Sequence, residues 1–264
     1  MSALDLPPRP RGRWKPLVAI GVILVITAIT LSPQVGISFS FDAIVRNWQN
    51  GASKIFAMLQ PDWSFFARTI PPLLETLEMA VIATFVASLV SLPLSLWAAR
   101  LTNPNRWTRG IVRTLLNIVR SIPDLLYASV LVAMVGVGAL PGIVALLLFN
   151  IGIIVKMVSE NIEANDAGPL EAGRAAGGTQ FQINRVIATA DALPAFVNQT
   201  LYVLELNVRA STVLGLVGAG GLGLLIDAVR TFYRYDQLSL IILEILVVVI
   251  VIDTTSDAIR RRLV

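Results

Sequence analysis

Two pairs of oppositely charged residues interrupt long apolar stretches of the sequence. Arg120 and Asp124 form one pair, and Glu205 and Arg209 form the other. Residues four apart share one face of a helix, so the members of each pair can neutralise each other. The alternative interpretation is functional: Arg120 or Arg209 lines an aqueous path used by an anion. In that case Glu205 moderates how tightly the anion is held, and Asp124 belongs to the same path.

Several kinds of chemistry are excluded by composition. The chain contains no cysteine and no histidine, which excludes a disulfide scaffold, the usual zinc sites, cysteine or serine–histidine nucleophiles and imidazole acid–base catalysis. None of the three lysines follows a glycine, so a G-x-x-x-x-G-K-[ST] phosphate loop is excluded as well. We therefore expect no enzyme activity, no metal and no cofactor on this chain, and any energy from ATP must come from a partner.

Apolar and charged residues are distributed as in a membrane protein. Hydrophobic residues make up 55% of the 264 residues and charged residues only 14%, against about 25% in a soluble domain. The 21 basic and 17 acidic residues give a net charge of +4, concentrated in short blocks between apolar runs. A nucleic-acid-binding protein would spread its basic residues over a soluble face. The composition therefore predicts contact with membrane lipid and no nucleic acid partner.

The apolar runs predict an all-α integral membrane protein with about six transmembrane helices. Each such helix needs about 20 predominantly apolar residues. The charge-free run 125–155 is too long for one helix, and glycines and a proline break it in the middle. Its first helix must therefore begin near Ile111 and carry Arg120 and Asp124. The other predicted spans are 16–33, 79–99, 142–157, 192–214 and 238–253.

Basic residues predict the orientation of these spans. The tail 1–15, the Arg100–Arg113 loop and the end of the chain at 261–264 all carry arginines and fall on one side of a six-span chain. The positive-inside rule places them, and so both termini, in the cytoplasm. The span 16–33 is predicted to be an uncleaved anchor. A cleaved signal peptide is the alternative, because its leading region is also basic.

An amphipathic segment follows the first span, at 34–71. Apolar residues recur there with helical spacing, first over 41–48 and again over 52–59. The pattern predicts one external helix, or two short ones split at Gly51. The segment either lies along the outer membrane face or packs on the spans.

The long loop 159–191 is predicted to fold rather than to act as a linker. Pro169 stands near the first position of a helix, and Glu171 falls in its first turn, where the helix dipole favours a carboxylate. Gly177 ends this helix, and a capping box over 179–182 starts another. Small side chains keep the first helix thin, which suits insertion into a groove on another protein.

A glycine-rich turn ends the fifth predicted span. It formally fits the G-x-G-x-x-G pattern of dinucleotide sites, which would require a preceding strand in a soluble sheet and an acidic residue about 20 positions further on. At the end of a membrane helix, glycines more readily allow a re-entrant turn and close packing of backbones, as in a gate or pore wall. The predicted gate glycines are Gly218, Gly220, Gly221 and Gly223.

The Glu171–Gly177 stretch resembles the E-A-A-x-x-x-G signature of bacterial ABC importer permeases, with Gly173 in place of the second alanine. The family also expects Leu-Pro where this chain has Thr189-Ala190. Residues 202–223 are similar to the phosphonate-type permeases, as are 120–124 and 159–171. Methionine importer permeases share the Leu216–Gly221 portion. The resemblance covers about 72–260, the predicted permease core.

The resemblance implies a type I ABC importer permease fold with a cytoplasmic coupling helix in the 159–191 loop. It also implies a homodimeric pore, two ATPase subunits that hold ATP and magnesium, and an extracytoplasmic solute-binding protein. The residues that would couple the pore to the ATPases are Pro169, Glu171, Ala172, Gly173, Ala175 and Gly177.

The implied function is import by alternating access of a small phosphorus oxyanion, namely phosphonate, phosphate or phosphite. One alternative is an ABC permease for another solute, such as methionine. Another is a secondary transporter or channel that needs no ATPase, which would have no use for the Glu171–Gly177 motif. A membrane scaffold without transport would not explain the charged pairs inside the spans.

Overall fold

The computed structural model describes residues 14–32 and 41–262, and these ranges contain helices and connecting turns but no strand. Residues 1–13 of the basic tail, residue 33 of the predicted first span, residues 34–40 of the predicted external segment and the last two residues lie outside the described residues. The helices are α1 Trp14–Leu31, α2 Phe41–Arg46, α3 Trp48–Met58, α4 Phe66–Ala98, α5 Arg106–Ser121, α6 Asp124–Val135, α7 Ala139–Ala164, α8 Gly168–Ala175, α9 Gln180–Ile183, α10 Thr189–Gly215, α11 Gly221–Thr231 and α12 Tyr235–Arg260.

The chain divides into two compact units, Met1–Ile55 and Phe56–Val264. In the first unit, α1 is apolar, and its large side chains are exposed around the helix. Its threonine hydroxyls at 27 and 30 donate to backbone carbonyls four residues earlier, so they present no free polar group to lipid. The amphipathic segment that follows forms two helices, as the pattern allowed. The break between them falls at Asn47 and not at the predicted Gly51, which lies inside α3.

The second unit is built around α4, α7 and α10. The buried face of α4 consists mainly of small residues, including Ala80, Ala83 and Ala87, which let neighbouring helix backbones approach closely. Polar side chains also cross this interface. The Asn207 amide of α10 donates to the Thr84 hydroxyl of α4 over 2.7 Å. Close packing and such hydrogen bonds replace the hydrophobic driving force that lipid does not supply.

Polar contacts join the start of α4 to α12. Asp62 caps the 3-10 turn Trp63–Phe65, and the hydrogen bond from the Ser64 hydroxyl lowers the pKa of its carboxyl group. The Asp62 backbone N–H donates to the Asp236 carbonyl over 3.2 Å. Inside the helices, the Thr69 hydroxyl donates to Glu244 over 2.6 Å. Glu244 is therefore an interhelical residue.

The predicted helix from Ile111 onward through Asp124 is wrong. The chain instead forms α5 and α6, which meet at a bend of 80°. Pro123 explains the break, because proline lacks a backbone donor and disfavours helical geometry at the residue before it. Ile122 is accordingly extended, with φ −92° and ψ 124°. Arg120 and Asp124 therefore do not lie four apart on one helix.

Length and hydropathy identify fewer spans than the six predicted. Over the described ranges, three helical stretches are long and apolar enough to cross a membrane: Trp63–Ala98, Ala139–Ala164 and Tyr235–Arg260. The bent α5–α6 pair makes a fourth if it is one broken span. The apolar part of α1, Pro16–Leu31, is shorter than these helices. Helix α10 is 27 residues long but carries several ionisable residues. The all-α membrane class is confirmed, while the spans formed by α1 and α10 stay predictions.

Candidate functional site

The 159–191 segment folds as the local signals predicted. Helix α8 begins at Gly168 with Pro169 in its first turn, and Glu171 also lies there. The Thr179 hydroxyl accepts from the Gln182 backbone, and the Gln182 side chain accepts from the Thr179 backbone, so the predicted capping box is present. Both helix starts therefore result from local interactions that a short stretch of sequence determines.

One face of α8 packs inward and the other is free. Leu170 is buried with Ile183 and Ala188 in a small apolar cluster beside the end of α4. A Cβ at Gly173 would lie 2.7 Å from an Ile187 methyl carbon, so Gly173 packs against Ile187 within the 159–191 segment and does not face outward. The remaining predicted coupling residues of the helix are exposed, namely Pro169, Glu171, Ala172 and Ala175.

Side-chain hydrogen bonds fasten this segment to the link between α4 and α5. The Arg174 guanidinium donates to the Leu101 carbonyl over 3.1 Å. The amides of Gln180 and Asn184 both donate to the Thr102 carbonyl over 3.0 Å. These bonds reach backbone atoms of the link that follows α4, so α8 and the residues after it are joined to the end of α4.

Gly177 ends α8 in a left-handed conformation. Its φ is +81°, which glycine adopts readily and other residues rarely do. The following Gly178 N–H donates to the Gly173 carbonyl over 3.0 Å, which closes the end of the helix. A Cβ built at Gly177 would meet nothing within 4 Å. The chain itself therefore leaves open space beside Gly177.

A π-helical stretch, Asn184–Ala188, joins α9 to α10 and was not predicted. It stands just before Thr189-Ala190, where the chain departs from the Leu-Pro of the importer permease motif. The Thr189 hydroxyl donates to the Asn184 carbonyl over 2.7 Å and satisfies one of the acceptors in the widened turn. Because no proline interrupts the backbone here, the helix continues into α10 with a local widening.

The glycine-rich turn lies between α10 and α11 and is buried among other helices. Gly218, Gly220 and Gly221 all have positive φ, at +94°, +85° and +64°. The Gly218 carbonyl accepts from the Gly138 N–H over 3.0 Å. The Thr76 hydroxyl accepts from the Leu222 N–H over 2.8 Å. A tight glycine turn is therefore present, while its re-entrant position in the membrane stays a prediction. No strand precedes the turn in the described part of the chain, so the dinucleotide interpretation fails.

Gly223 lets α11 pack backbone to backbone on the end of α10. A Cβ at Gly223 would collide with the Thr212 carbonyl oxygen and with the backbone of Gly215. A Cβ at Gly215 would in turn lie 2.5 Å from the Gly223 Cα. The contact consists of backbone atoms on both sides, which no side-chain rotation can relieve.

Glu205 pairs with Arg260 and not with Arg209. The Glu205 carboxylate is buried and forms an ion pair with the Arg260 guanidinium at the end of α12. Arg209 is exposed, and its Nε lies 3.5 Å from the Glu205 backbone carbonyl. The i, i+4 spacing made a local pair possible, but the carboxylate points to another helix. Glu205 therefore ties α10 to α12 and does not moderate Arg209.

Breaking the Glu205–Arg260 pair should destabilise the protein strongly. Removing Arg260 leaves the buried Glu205 carboxylate without its cation, a change that costs about 3–5 kcal/mol in a buried ion pair. Removing Glu205 should cost less, because Arg260 is partly exposed and keeps its ion pair with Asp257. Glu205→Gln and Arg260→Gln should therefore each lower the unfolding midpoint of the purified protein in detergent. The double variant should recover most of that loss, while Arg209→Gln should change little. Additive losses in the double variant would contradict the pairing.

Arg120 and Asp124 are not paired either. The Asp124 carboxylate accepts from the Leu125 backbone N–H over 2.8 Å, at the start of α6. The Arg120 side chain instead packs its aliphatic carbons over Gly152 of α7, where a Cβ would lie 3.0 Å from the Arg120 Cδ. The two residues therefore lie on different helices, on either side of the bend. Arg120 of α5 contacts α7, and Asp124 caps the start of α6.

Two ionic contacts were missed from the sequence. Arg113 of α5 forms an ion pair with Glu163 near the end of α7, and Glu163 also accepts from the Arg100 backbone N–H over 2.6 Å. The other missed contact is the Glu205–Arg260 ion pair. No local pattern could identify these partners, because they lie 50 or more residues apart.

The described residues offer no candidate metal site, since they contain no cluster of three or more histidine, cysteine, aspartate or glutamate side chains. The features brought together are an exposed helix, a tight glycine turn and charges that join helices. Together with helices long and apolar enough to cross a membrane, they define an α-helical membrane protein.

Residues 91–264 match the family described as the inner membrane component of binding-protein-dependent transport systems. The chain belongs to this family and is the permease component of an ABC importer. It is 39% identical to the phosphite transport system permease protein PtxC of Stutzerimonas stutzeri, over 77% of this chain and 74% of that protein. It is 35% identical to the phosphate-import permease protein PhnE of Mycolicibacterium smegmatis, over 80% of this chain and 42% of that protein.

A solved structure supports the same assignment. The chain resembles the inward-facing MetNI methionine ABC transporter with a TM-score of 0.70 and 26% identity, over 77% of this chain and 99% of that chain. The importer permease fold predicted from the sequence is therefore confirmed.

Proposed function

We propose that this permease imports a small phosphorus oxyanion, with phosphite, phosphate and phosphonates as the candidate ions. The observation that carries the proposal is the 39% identity to a phosphite permease over 77% of the chain. A second relative is named a phosphate-import permease. Two relatives with related oxyanions in their names favour this class of solute over the methionine of the structural neighbour.

The exposed face of α8 is the proposed dock for an ATPase subunit. Glu171 is the free charge on that face, Ala172 and Ala175 keep it flat, and Gly177 leaves open space at its end. ATP and magnesium belong to that partner. Because hydrogen bonds fasten the segment to the end of α4, movement of the ATPase would reach the membrane helices.

The complete transporter would contain two copies of this chain, two ATPase subunits and a solute-binding protein on the opposite face of the membrane. Both termini would lie in the cytoplasm together with α8, as the basic residues 100–113 favour. The glycine turn, Gly218–Gly223, would act as the gate. Its contacts with α4 and with Gly138, just before α7, would break and re-form as the pore alternates between its two states.

Arg209 and Arg120 are the basic residues proposed to line the path. Arg209 is exposed on α10, six residues before the short backbone contact at Gly215, so it lies close to the proposed gate. Glu205 is left out of the path because it is held by Arg260.

Uptake by a reconstituted complex tests the proposal. The permease, the ATPase and the binding protein encoded with it should accumulate labelled phosphite or phosphate in vesicles only when ATP is present. Methionine, tested in parallel, should not accumulate. Methionine uptake without oxyanion uptake would overturn the proposed substrate class, and oxyanion uptake without ATP would overturn the ATPase-driven mechanism.

A further inference from the structure

A polar cavity lies between α5 and α7, beside the end of α4. Its volume is about 160 Å³, well above the roughly 10–15 Å³ that holds one water molecule. Asn117 and Arg120 of α5 line one wall, and Lys156 and Ser159 of α7 line the other. The cavity therefore combines several hydrogen-bond donors in a space that can admit a small hydrated ion.

The charges around this cavity do not balance. Two ion pairs form part of its lining, Arg113 with Glu163 and Lys156 with Glu160. Arg120 also lines it, and among the described residues no carboxylate forms an ion pair or hydrogen bond with its guanidinium. One positive charge is thus left without a partner, and it belongs to Arg120.

Arg120 is held against α7 on one side and is exposed on the other. Its aliphatic carbons pack on Gly152, where any side chain would collide with them. Gly152 is at the middle of the 26-residue α7. Packing on Gly152 therefore restricts where the guanidinium can lie, while its exposure leaves it accessible to an ion that enters the cavity.

We propose that this cavity is a binding site for a small tetrahedral oxyanion, with Arg120 as the charge that pairs with the ion. A guanidinium matches the oxygen atoms of phosphorus oxyanions because its N–H groups form a planar fork. Asn117 lies three residues from Arg120, on the same face of α5, and supplies a neutral donor beside it. Arg113 and Lys156 keep their carboxylate partners, so the bound ion meets one free charge and can leave again. The inference rests on the proposed function, which makes the transported ion the source of the ligand.

Protection of a single cysteine tests occupancy without any need for transport. The chain has no native cysteine. Leu116→Cys therefore gives one reactive thiol in the lining of the cavity and keeps both Asn117 and Arg120, and Gly110→Cys gives a control on the same helix outside the cavity. Phosphite should slow modification of position 116 by a thiol reagent several-fold and leave position 110 unchanged. The protection should disappear when Arg120→Gln is added. Equal rates at position 116 with and without phosphite would overturn the site.

A phospholipid headgroup has the same chemistry and is the competing source. The permease in discs of neutral lipid should show protection by phosphite, and adding an anionic phospholipid should not replace it. Protection by the anionic lipid, with none by phosphite, would overturn the assignment to the transported ion.

Uptake provides a second, independent measurement. Arg120→Gln should lower phosphite uptake at saturating concentration roughly tenfold, as loss of a charged hydrogen-bond partner does, while the complex still assembles. Arg120→Lys should restore part of the rate, and Arg106→Gln, the same charge change outside the cavity, should have no effect. Uptake within twofold of the wild type in assembled Arg120→Gln complexes would overturn the site. Absence of oxyanion uptake by the wild-type complex would count against the proposed function instead.

Discussion

Replacing Gly177 with leucine should abolish uptake while the permease still folds. The left-handed backbone at φ +81° costs an L-residue about 1–2 kcal/mol, which lowers the unfolding midpoint by only a few degrees. Within the chain, the new side chain meets no atom close to its Cβ. A loss of uptake of more than tenfold would therefore come from collision with a body docked on α8, which we propose to be the ATPase. Vesicle uptake and thermal unfolding measure the two effects separately.

Two further variants serve as controls for this prediction. Gly136→Leu introduces the same side chain at φ +98° and ψ 174°, again with open space around the Cβ. This backbone region is essentially restricted to glycine, so the variant imposes a backbone cost at least as large as that at Gly177, away from α8. Glu171→Ala removes the exposed charge in the first turn of α8, where the interaction with the helix dipole contributes only about 0.3–1 kcal/mol. It should reduce uptake far more than stability. If Gly177→Leu and Glu171→Ala both keep wild-type uptake, the docking role of α8 is wrong.

Gly223→Ala should destabilise the permease more than a single methyl group normally does. The added carbon would enter the backbone contact between α10 and α11, at the Thr212 carbonyl and the Gly215 backbone. Overpacking usually costs 1–3 kcal/mol when side chains can adjust. Here the neighbours are backbone atoms, so we expect about 3 kcal/mol or more, and a midpoint roughly 10 °C lower in detergent.

Gly110→Ala is the matched control for Gly223→Ala. Gly110 also lies inside a helix, but a Cβ there would meet nothing within 4 Å. Alanine should therefore stabilise α5 by up to about 1 kcal/mol through its higher helix propensity. Equal midpoints for the two variants would show that the glycine turn tolerates a looser contact than the structure describes.

The parts of the fold that depend on local interactions could be predicted from the sequence. The start of α8 follows from Pro169, its end from Gly177, and the start of α9 from the Thr179–Gln182 capping box. Each of these signals acts over a few residues, so their neighbours in space matter little. The glycine turn was predictable for the same reason, because only glycine adopts its backbone angles readily.

Contacts between distant parts of the chain could not be predicted. Glu205 had a possible partner four residues away, and nothing in the sequence indicates Arg260 instead. The position of the Arg120 guanidinium depends on Gly152, which is also distant in sequence. The bend after Ser121 did have a local signal in Pro123, but the length of the charge-free run favoured one helix through it.

The bend between α5 and α6 determines how much of the bilayer thickness the helix α6 can cover. Helix α6 contains 12 residues and is about 18 Å long, whereas the hydrocarbon core of a bilayer is about 30 Å thick. Because α5 turns away by 80°, α6 alone is about 12 Å shorter than the hydrocarbon core, and the rest of that thickness would have to be covered by a neighbouring helix or by thinner lipid. A surface covered by such a short helix is suited to a subunit interface. In the proposed homodimer, the second copy would cover the surface beside α6, so that neither subunit alone encloses the pore.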